Sequence, residues 1–600
     1  MINLRDRLLD YYQRELSYLR KRGVDFAEAY PKVARRLDLG PDQSGDPNVE
    51  RLIESFAFLS ARIQQNIEGE FPRFTSALLD LLYPHLTRPL PAMSIARFDV
   101  DPAQGKLTGG HVIPRHTPVA AQAEGDLRCR FRTVYPVELW PVEIVSAAVE
   151  STAQHDFLDT SHAAAVLRLR LRAPLVPIEE LEMRRLRLYI HADPLLASAL
   201  IELLFTGVEQ IAYVTGPGKV QVAPAERMLV PVGFENADGA LPNGAGGYHA
   251  YRLLQEYFAF PEKFRFFDLN FPDLTGAGET IDVLFLLDRQ PRGLAGLGLD
   301  TFALGCTPVV NLFPKLAEPL RPDYRQTDYR LVGDFRRERT TEIHTIEAVT
   351  GISELGEESV PYAPFFSYDH AEENRRQATF WHARREPTGR KDMPGTELHM
   401  SFLDLNFRPS MPASQVIMVR TLCTNRALSE QLPAGAVLQI EQAAPLARIT
   451  LLMKPTPPRA PPMDGETAWR LVSHLSVNHL SLTEGEESLR AFRELLRLYA
   501  TDDAAAEQQI SGIRRMTTRP CVRRVGGDAW RGFCRGNEIT LEFDERRYAG
   551  SSAYLFATVL NRFLALYATV NSFTQLRITS TQRSGIWKTW SPLAGDRDVL

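Results

Sequence analysis

Cysteine is scarce in this chain: Cys129, Cys306, Cys423, Cys521 and Cys534 are the only five in 600 residues. Their number is odd, their spacing is wide, and no pair has the C-x-x-C spacing of a zinc or redox site. Buried or incidental thiols in a reducing compartment are what such usage predicts. Net charge is also small, at -5, which argues against a general nucleic-acid binder. Long apolar runs are missing. Among the longest is Ile281 to Leu287, which is interrupted by Asp282 and far short of a membrane span, so no direct membrane insertion is expected. The opening residues, Met1-Ile2-Asn3-Leu4-Arg5-Asp6, are charged and lack the apolar core of a signal peptide. A cytoplasmic protein is the expectation.

Catalytic signatures are absent as well. No P-loop, G-x-S-x-G or H-E-x-x-H pattern occurs, and Gly293, Gly296 and Gly298 are in the wrong order for a dinucleotide fingerprint. His111/His116 and His474/His479 are each five apart, a spacing that turns the two rings away from each other on a helix or a strand. Structural histidines are the better reading. Asp99 and Asp101 suit a turn or strand end, and Trp381 to Arg385 suits a surface strand better than a nucleic-acid patch. We therefore expect no catalytic, cofactor-binding or metal site.

What is present is helical at the start and β-rich later. Leu8, Tyr12, Leu16 and Leu19 form one stripe of a first helix, with Gly23 as a possible interruption. Asp46-Pro47 is a helix-start signal, after which Val49, Leu52, Ile53, Phe56, Leu59, Ile63 and Ile67 recur at three- and four-residue spacing. A third short helix is expected near Thr75 to Leu82, ending at Tyr83-Pro84. Such stripes usually bury in the protein's own core. Here Tyr11, Tyr12, Phe26 and Tyr30 add aromatics, the residue type enriched in interface cores. Leu8, Tyr12, Leu16 and Leu19 are the candidate protein-interface residues.

From about Ala92 the pattern becomes β. Val166 to Arg172 alternates leucine with arginine, as a half-solvated strand does. Asp193-Pro194 signals another helix, Tyr251 to Tyr257 a short one, and Ile281 to Leu287 a buried strand. Five prolines between Lys454 and Pro462 mark an extended linker. Beyond it, Leu489 to Tyr499 and Leu555 to Val570 carry helical stripes, and Phe573 to Thr579 reads as a strand. Ile513 to Leu600 holds 14 Lys and Arg against 7 Asp and Glu, a net of +7, which leaves -12 for the rest. Because these charges are interleaved, a solvated surface is favoured over an acidic partner's docking face.

Several segments resemble one family, in order along nearly the whole chain. They are Tyr11 to Leu16, Asp46 to Leu52 and Tyr83 to Pro89, then Gly110 to Val119 with Cys129 to Thr133. Tyr251 to Phe264, Cys306 to Phe313, Ser473 to Asn478 and Ala565 to Leu576 continue the match. Together they are similar to the TssF (ImpG or VasA) family of type VI secretion baseplate subunits. The Gly110 segment is also reminiscent of phage wedge proteins. One departure stands out: His116 occupies a position where the family usually has Gly. If the turn needs a positive φ, His bears it at a cost.

The resemblance implies a structural subunit of the baseplate wedge, on which sheath and tube assemble. Implied partners are TssG, TssE, further TssF copies, the VgrG hub and TssK, with recruitment to the inner-membrane secretion complex. The expected fold is multidomain α+β: a helical assembly module over 1–91, a β-rich wedge-like domain over 92–250 and a second β-rich domain over 251–453. The Pro-rich linker over 454–465 and a net-basic α+β domain over 466–600 follow. Two other classes stay open, a cell-wall or carbohydrate-acting enzyme carried by the same system and a β-sandwich ligand-binding module.

Overall fold

The computed structural model describes residues 4–38, 44–105, 107–216, 218–243, 249–323, 325–352, 359–365, 379–404, 409, 416–463, 486–500, 503–524, 533–568 and 572–594. The chain forms a multidomain α+β protein and divides into two compact units, residues 1–82 with 462–475, and 83–461 with 476–600. The Gly244–Gly247 loop, His474/His479 and Val570 lie outside the described residues.

The first unit is a helical hairpin. Helix α1 (Leu4–Ala29) runs through Gly23 without interruption, a one-turn helix α2 (Pro31–Ala34) follows, and α3 (Pro47–Leu82) returns. Asp46 caps α3 as its sequence suggests, with Oδ1 accepting from the Asn48 amide at 2.8 Å. The short third helix does not exist separately: α3 continues past Pro72 to Leu82. A proline removes one helical hydrogen bond, and here the neighbouring turns absorb that loss until Tyr83-Pro84 ends the helix.

The second unit is organised around a closed six-stranded barrel. Its strands, in order around the barrel, are Met93–Val100, Cys306–Val310, Arg128–Thr133, Pro118–Gln122, Val437–Ile440 and Leu446–Leu451. Phe98, Val119, Phe131, Val309 and Leu451 fill the interior. Closure leaves no free edge. Residues 313–424 leave the barrel and return as a separate pair of sheets with their own core. Two asparagines fasten the points of exit and return. Asn425 donates its amide to Asn311 Oδ1 at 2.7 Å, and Asn311 Nδ2 donates to Asn425 Oδ1 at 2.9 Å. The prolines of 454–462 lie extended but tethered: Thr456 and Arg459 donate their amides to the carbonyls of Met93 and Leu90.

Alternation gives the five-stranded sheet beside the barrel. Leu167, Leu169 and Leu171 are buried, and Arg168 and Arg170 both chelate Asp282 on the adjacent strand Thr280–Leu287. Helix Pro194–Thr206 is capped by Asp193, which accepts from Leu195 at 2.9 Å. Lys588 Nζ donates to the Phe205 carbonyl at its other end, tying the C-terminal sheet to it. Helix Ala553–Leu564 packs on helix His249–Ala259 through aromatic pairs, Tyr257 with Phe556 at 5.2 Å and Tyr251 with Phe563 at 5.6 Å. Such pairs contribute about 0.5–1.5 kcal/mol each beyond their burial.

The segment Tyr251 to Phe264 owes its composition to a buried charge cluster. Glu256 and Lys263 are fully buried and ion-paired, and Arg252 is nearly so. Glu256 Oε1 accepts from the amides of Ala240 and Leu241 at 2.8 and 2.9 Å. Lys263 Nζ donates to the Gly233 carbonyl at 3.1 Å, and Arg252 to that of Asn236 at 2.9 Å. Burial opposes ionisation of Glu256, yet Lys263 and Arg252 hold its carboxyl below the ordinary value. The cluster clamps loop 232–241 to the helix. Removing one partner strands the other charges without solvent. Glu256→Gln is therefore expected to destabilise the chain by about 3–5 kcal/mol in urea unfolding; a loss below about 1 kcal/mol would contradict the clamp.

His116 has φ +65°, the left-handed conformation its turn requires. Its amide donates to Thr133 O at 2.9 Å and fixes that geometry. A side chain with a Cβ costs about 1 kcal/mol there relative to glycine. His116→Gly should accordingly raise stability by about 0.5–1 kcal/mol in the same assay, and a loss would show that the imidazole contributes more than the strain costs.

Candidate functional site

The two long helices of the N-terminal hairpin meet through a charged contact near the turn. Arg20 on α1 donates Nε and Nη2 to Glu50 Oε1 on α3 at 3.1 and 2.5 Å. The other carboxylate oxygen, Oε2, accepts from the Ser44 amide at 2.9 Å. That amide and Arg20 hold the Glu50 carboxyl below its usual range against the effect of partial burial. One face of α3 is thereby turned toward α1. At 100° per residue, Ala57 and Ala61 share the Glu50 face, and both are fully buried. Small residues let helices approach closely.

Four large apolar residues lie on the other side. Leu52, Phe56, Leu59 and Ile63 fall 180–240° around the helix from Glu50 by the same geometry. They are 70, 58, 53 and 50% exposed. With Val49 they repeat at intervals of 3, 4, 3 and 4, the a/d spacing of a coiled-coil seam. A soluble chain rarely leaves such a row of side chains uncovered, and a contiguous exposed apolar surface marks an interaction site. The three- and four-residue spacing places this stripe on one helix face, but periodicity alone does not say whether a face turns inward or outward.

The four residues singled out on α1 are placed differently. Leu8, Tyr12, Leu16 and Leu19 are all half-buried, along the side of the helix adjoining Arg20. Leu9, Tyr18, Phe26 and Tyr30 are the more exposed apolar residues of this region. The hairpin thus presents a continuous row on α3 and scattered side chains on α1.

Elsewhere the charged groups of the cleft and of the basic strand are engaged internally. A cleft of about 220 Å³ opens between strand Met93–Val100 and residues 138–143 and 174–175, with Trp140 in its wall. Its carboxylates are tied to arginines: Asp99 to Arg97 at 2.8 Å, Glu143 to Arg172 at 2.6 Å, and Glu138 to Arg185. Trp381 donates Nε1 to the Tyr362 carbonyl, and Arg385 donates to the carbonyls of Ile343 and His344, so this basic segment is built into its sheet. Asp101 caps a single helical turn by accepting from the Ala103 amide. Cys129, Cys306 and Cys423 are buried and burial pushes their thiols up, while Cys521 and Cys534 are partly exposed. Among the described residues no group of three or more His, Cys, Asp or Glu side chains is arranged to hold a metal ion. Among the same residues no helix is long and apolar enough to cross a membrane.

The family model "Type VI secretion system, TssF" matches residues 4–597. The chain is 34% identical to the Type VI secretion system component TssF1 of Pseudomonas aeruginosa, over 99% of this chain and 100% of the relative. Its fold is similar to a chain in the cryo-electron microscopy structure of the type VI secretion system TssK-TssF-TssG baseplate subcomplex. The TM-score is 0.72 at 25% identity, covering 92% of this chain and 100% of the other. These matches span the hairpin, the barrel and the C-terminal sheet alike, and the chain belongs to the TssF family of type VI secretion proteins.

Proposed function

We propose that this chain is a scaffold subunit of a type VI secretion baseplate wedge, and that its work is to hold partner subunits in fixed geometry. The observation that carries this reading is the exposed a/d row Leu52, Phe56, Leu59 and Ile63. In the related complex the TssF subunit assembles with TssG and TssK. By that likeness the row on α3 takes a helix of a TssG-type subunit. Leu8, Tyr12, Leu16 and Leu19, half-buried on the side of α1 adjoining Arg20, contribute to the same assembly by fixing α1 against α3, and a TssK-type subunit joins the same complex. TssE, a VgrG hub and further copies of this chain complete the proposed wedge, in the cytoplasm at the inner-membrane secretion complex. No catalytic step is assigned: the cleft beside Trp140 has its carboxylates consumed by arginines and offers no free acid–base pair.

Burying the rest of each side chain in the row is worth about 1–2 kcal/mol. A charge in the middle of the row should therefore abolish assembly without unfolding the chain, since these positions already face solvent. Co-expression with the TssG-type subunit of the same secretion system, followed by size exclusion with light scattering, tests this. The unaltered chain should co-elute at a defined mass above its own 67.6 kDa. Phe56→Asp with Leu59→Asp should run apart from the partner while its melting temperature stays within a few degrees. Undiminished co-elution of this variant would place the interface elsewhere.

A further inference from the structure

We propose that the outer strand of the C-terminal sheet, Ile513–Arg524, is a second docking edge, one that receives an extended, carboxylate-bearing segment of a partner protein. The strand is twelve residues long and pairs along its length with Phe533–Phe543. It is the terminal strand of its sheet, with no second strand paired to it among the described residues, while helices Glu486–Arg497 and Ala504–Ser511 pack near its start. Arg493 Nε donates to the carbonyl of Ile513 at 3.1 Å and covers only the strand's first acceptor. What remains is a row of backbone donors and acceptors roughly 30 Å long at the rise of a β-strand.

The side chains decide which strand can add there. The sequence Ile-Arg-Arg-Met-Thr-Thr-Arg-Pro-Cys-Val-Arg-Arg holds five arginines and no acid. Ile513 and Met516 face the core, while Arg515 and Arg519 are exposed. The sheet's own carboxylates are largely spent. Glu538 accepts from Arg523 at 3.2 Å and from Arg577 at 2.7 Å, and Asp544 accepts from Arg514 at 2.7 Å. Glu542 stands opposite Arg515 in register, but no ion pair links the two. Arg515 and Arg519 therefore have no carboxylate partner among the described residues.

Arginine and proline on an edge blunt it against indiscriminate pairing, and Pro520 does remove one donor. That protection is selective in sign. A second copy of this chain pairing antiparallel would set one arginine row against another, which like-charge repulsion disfavours. A strand bearing glutamate or aspartate would meet the same row with opposite charge and complete the two unpartnered guanidiniums. The edge thus rejects itself and admits an acidic partner, the strand-addition mode of recognition.

The full-length chain can be titrated, by fluorescence anisotropy at low ionic strength, into a labelled ten-residue peptide of alternating Glu and Val. A Lys–Val peptide of the same length serves as the comparison. The Glu–Val peptide should bind at least tenfold more tightly. Arg515→Glu with Arg519→Glu should weaken that binding at least tenfold, and hydrogen exchange at residues 514–523 should slow when the peptide is bound. Should the charge reversal impair folding, Arg515→Gln with Arg519→Gln carries the test, with at least a threefold loss expected. Equal binding of both peptides, binding indifferent to these substitutions, or unchanged exchange at 514–523 would each overturn the proposal.

Discussion

Two packed helices share one mutual contact, and in the N-terminal hairpin the α3 side of that contact is given to the smallest side chains. Ala57 and Ala61 lie on the face that Glu50 turns to Arg20 of α1, while Leu52, Phe56, Leu59 and Ile63 fall on the opposite side of the helix. A helix cannot bury both faces against one neighbour. The assignment of small residues inward and large ones outward is therefore a constraint on everything that follows. Folding the hairpin leaves Leu52, Phe56, Leu59 and Ile63 at least half in water, at the spacing of a coiled-coil seam.

The second unit solves a different problem, that of holding long, non-contiguous β segments in fixed positions. Barrel strands come from residues 93 to 451, with whole domains between them. Polar clamps sit where segments leave and return: Asn311 with Asn425 at the insertion, and Glu256 with Lys263 and Arg252 under loop 232–241. Buried polar contacts of this kind contribute little net stability when complete and cost heavily when broken. They specify one geometry, which suits a chain whose proposed work is positional.

Much of this was legible in sequence. Leu167, Leu169 and Leu171 alternate with arginines and form the strand so predicted, and Asp193-Pro194 and Asp46-Pro47 cap the helices they announce. The suspicion about His116 holds too, its φ being positive. Other features were hidden for physical reasons. Gly23 and a separate short helix at Thr75 to Leu82 pointed to breaks, yet helices of 26 and 36 residues run through both places. Barrel closure depends on pairings hundreds of residues apart, which no local periodicity records. The apolar row on α3 was visible, but its outward direction was not. Direction is set by Glu50, Ala57 and Ala61 on the other face, and alanine carries almost no periodic signal.

The most direct test of the assembly account measures the solvent exposure of that row with and without a partner. A Leu59→Cys variant, with Cys521 and Cys534 changed to serine, would be labelled with a maleimide as the free chain and in complex with the TssG-type subunit. Labelling of the free chain is expected to be rapid, and the reaction in the complex at least tenfold slower. Equal rates would show that the exposed face of α3 is not the surface that builds the assembly.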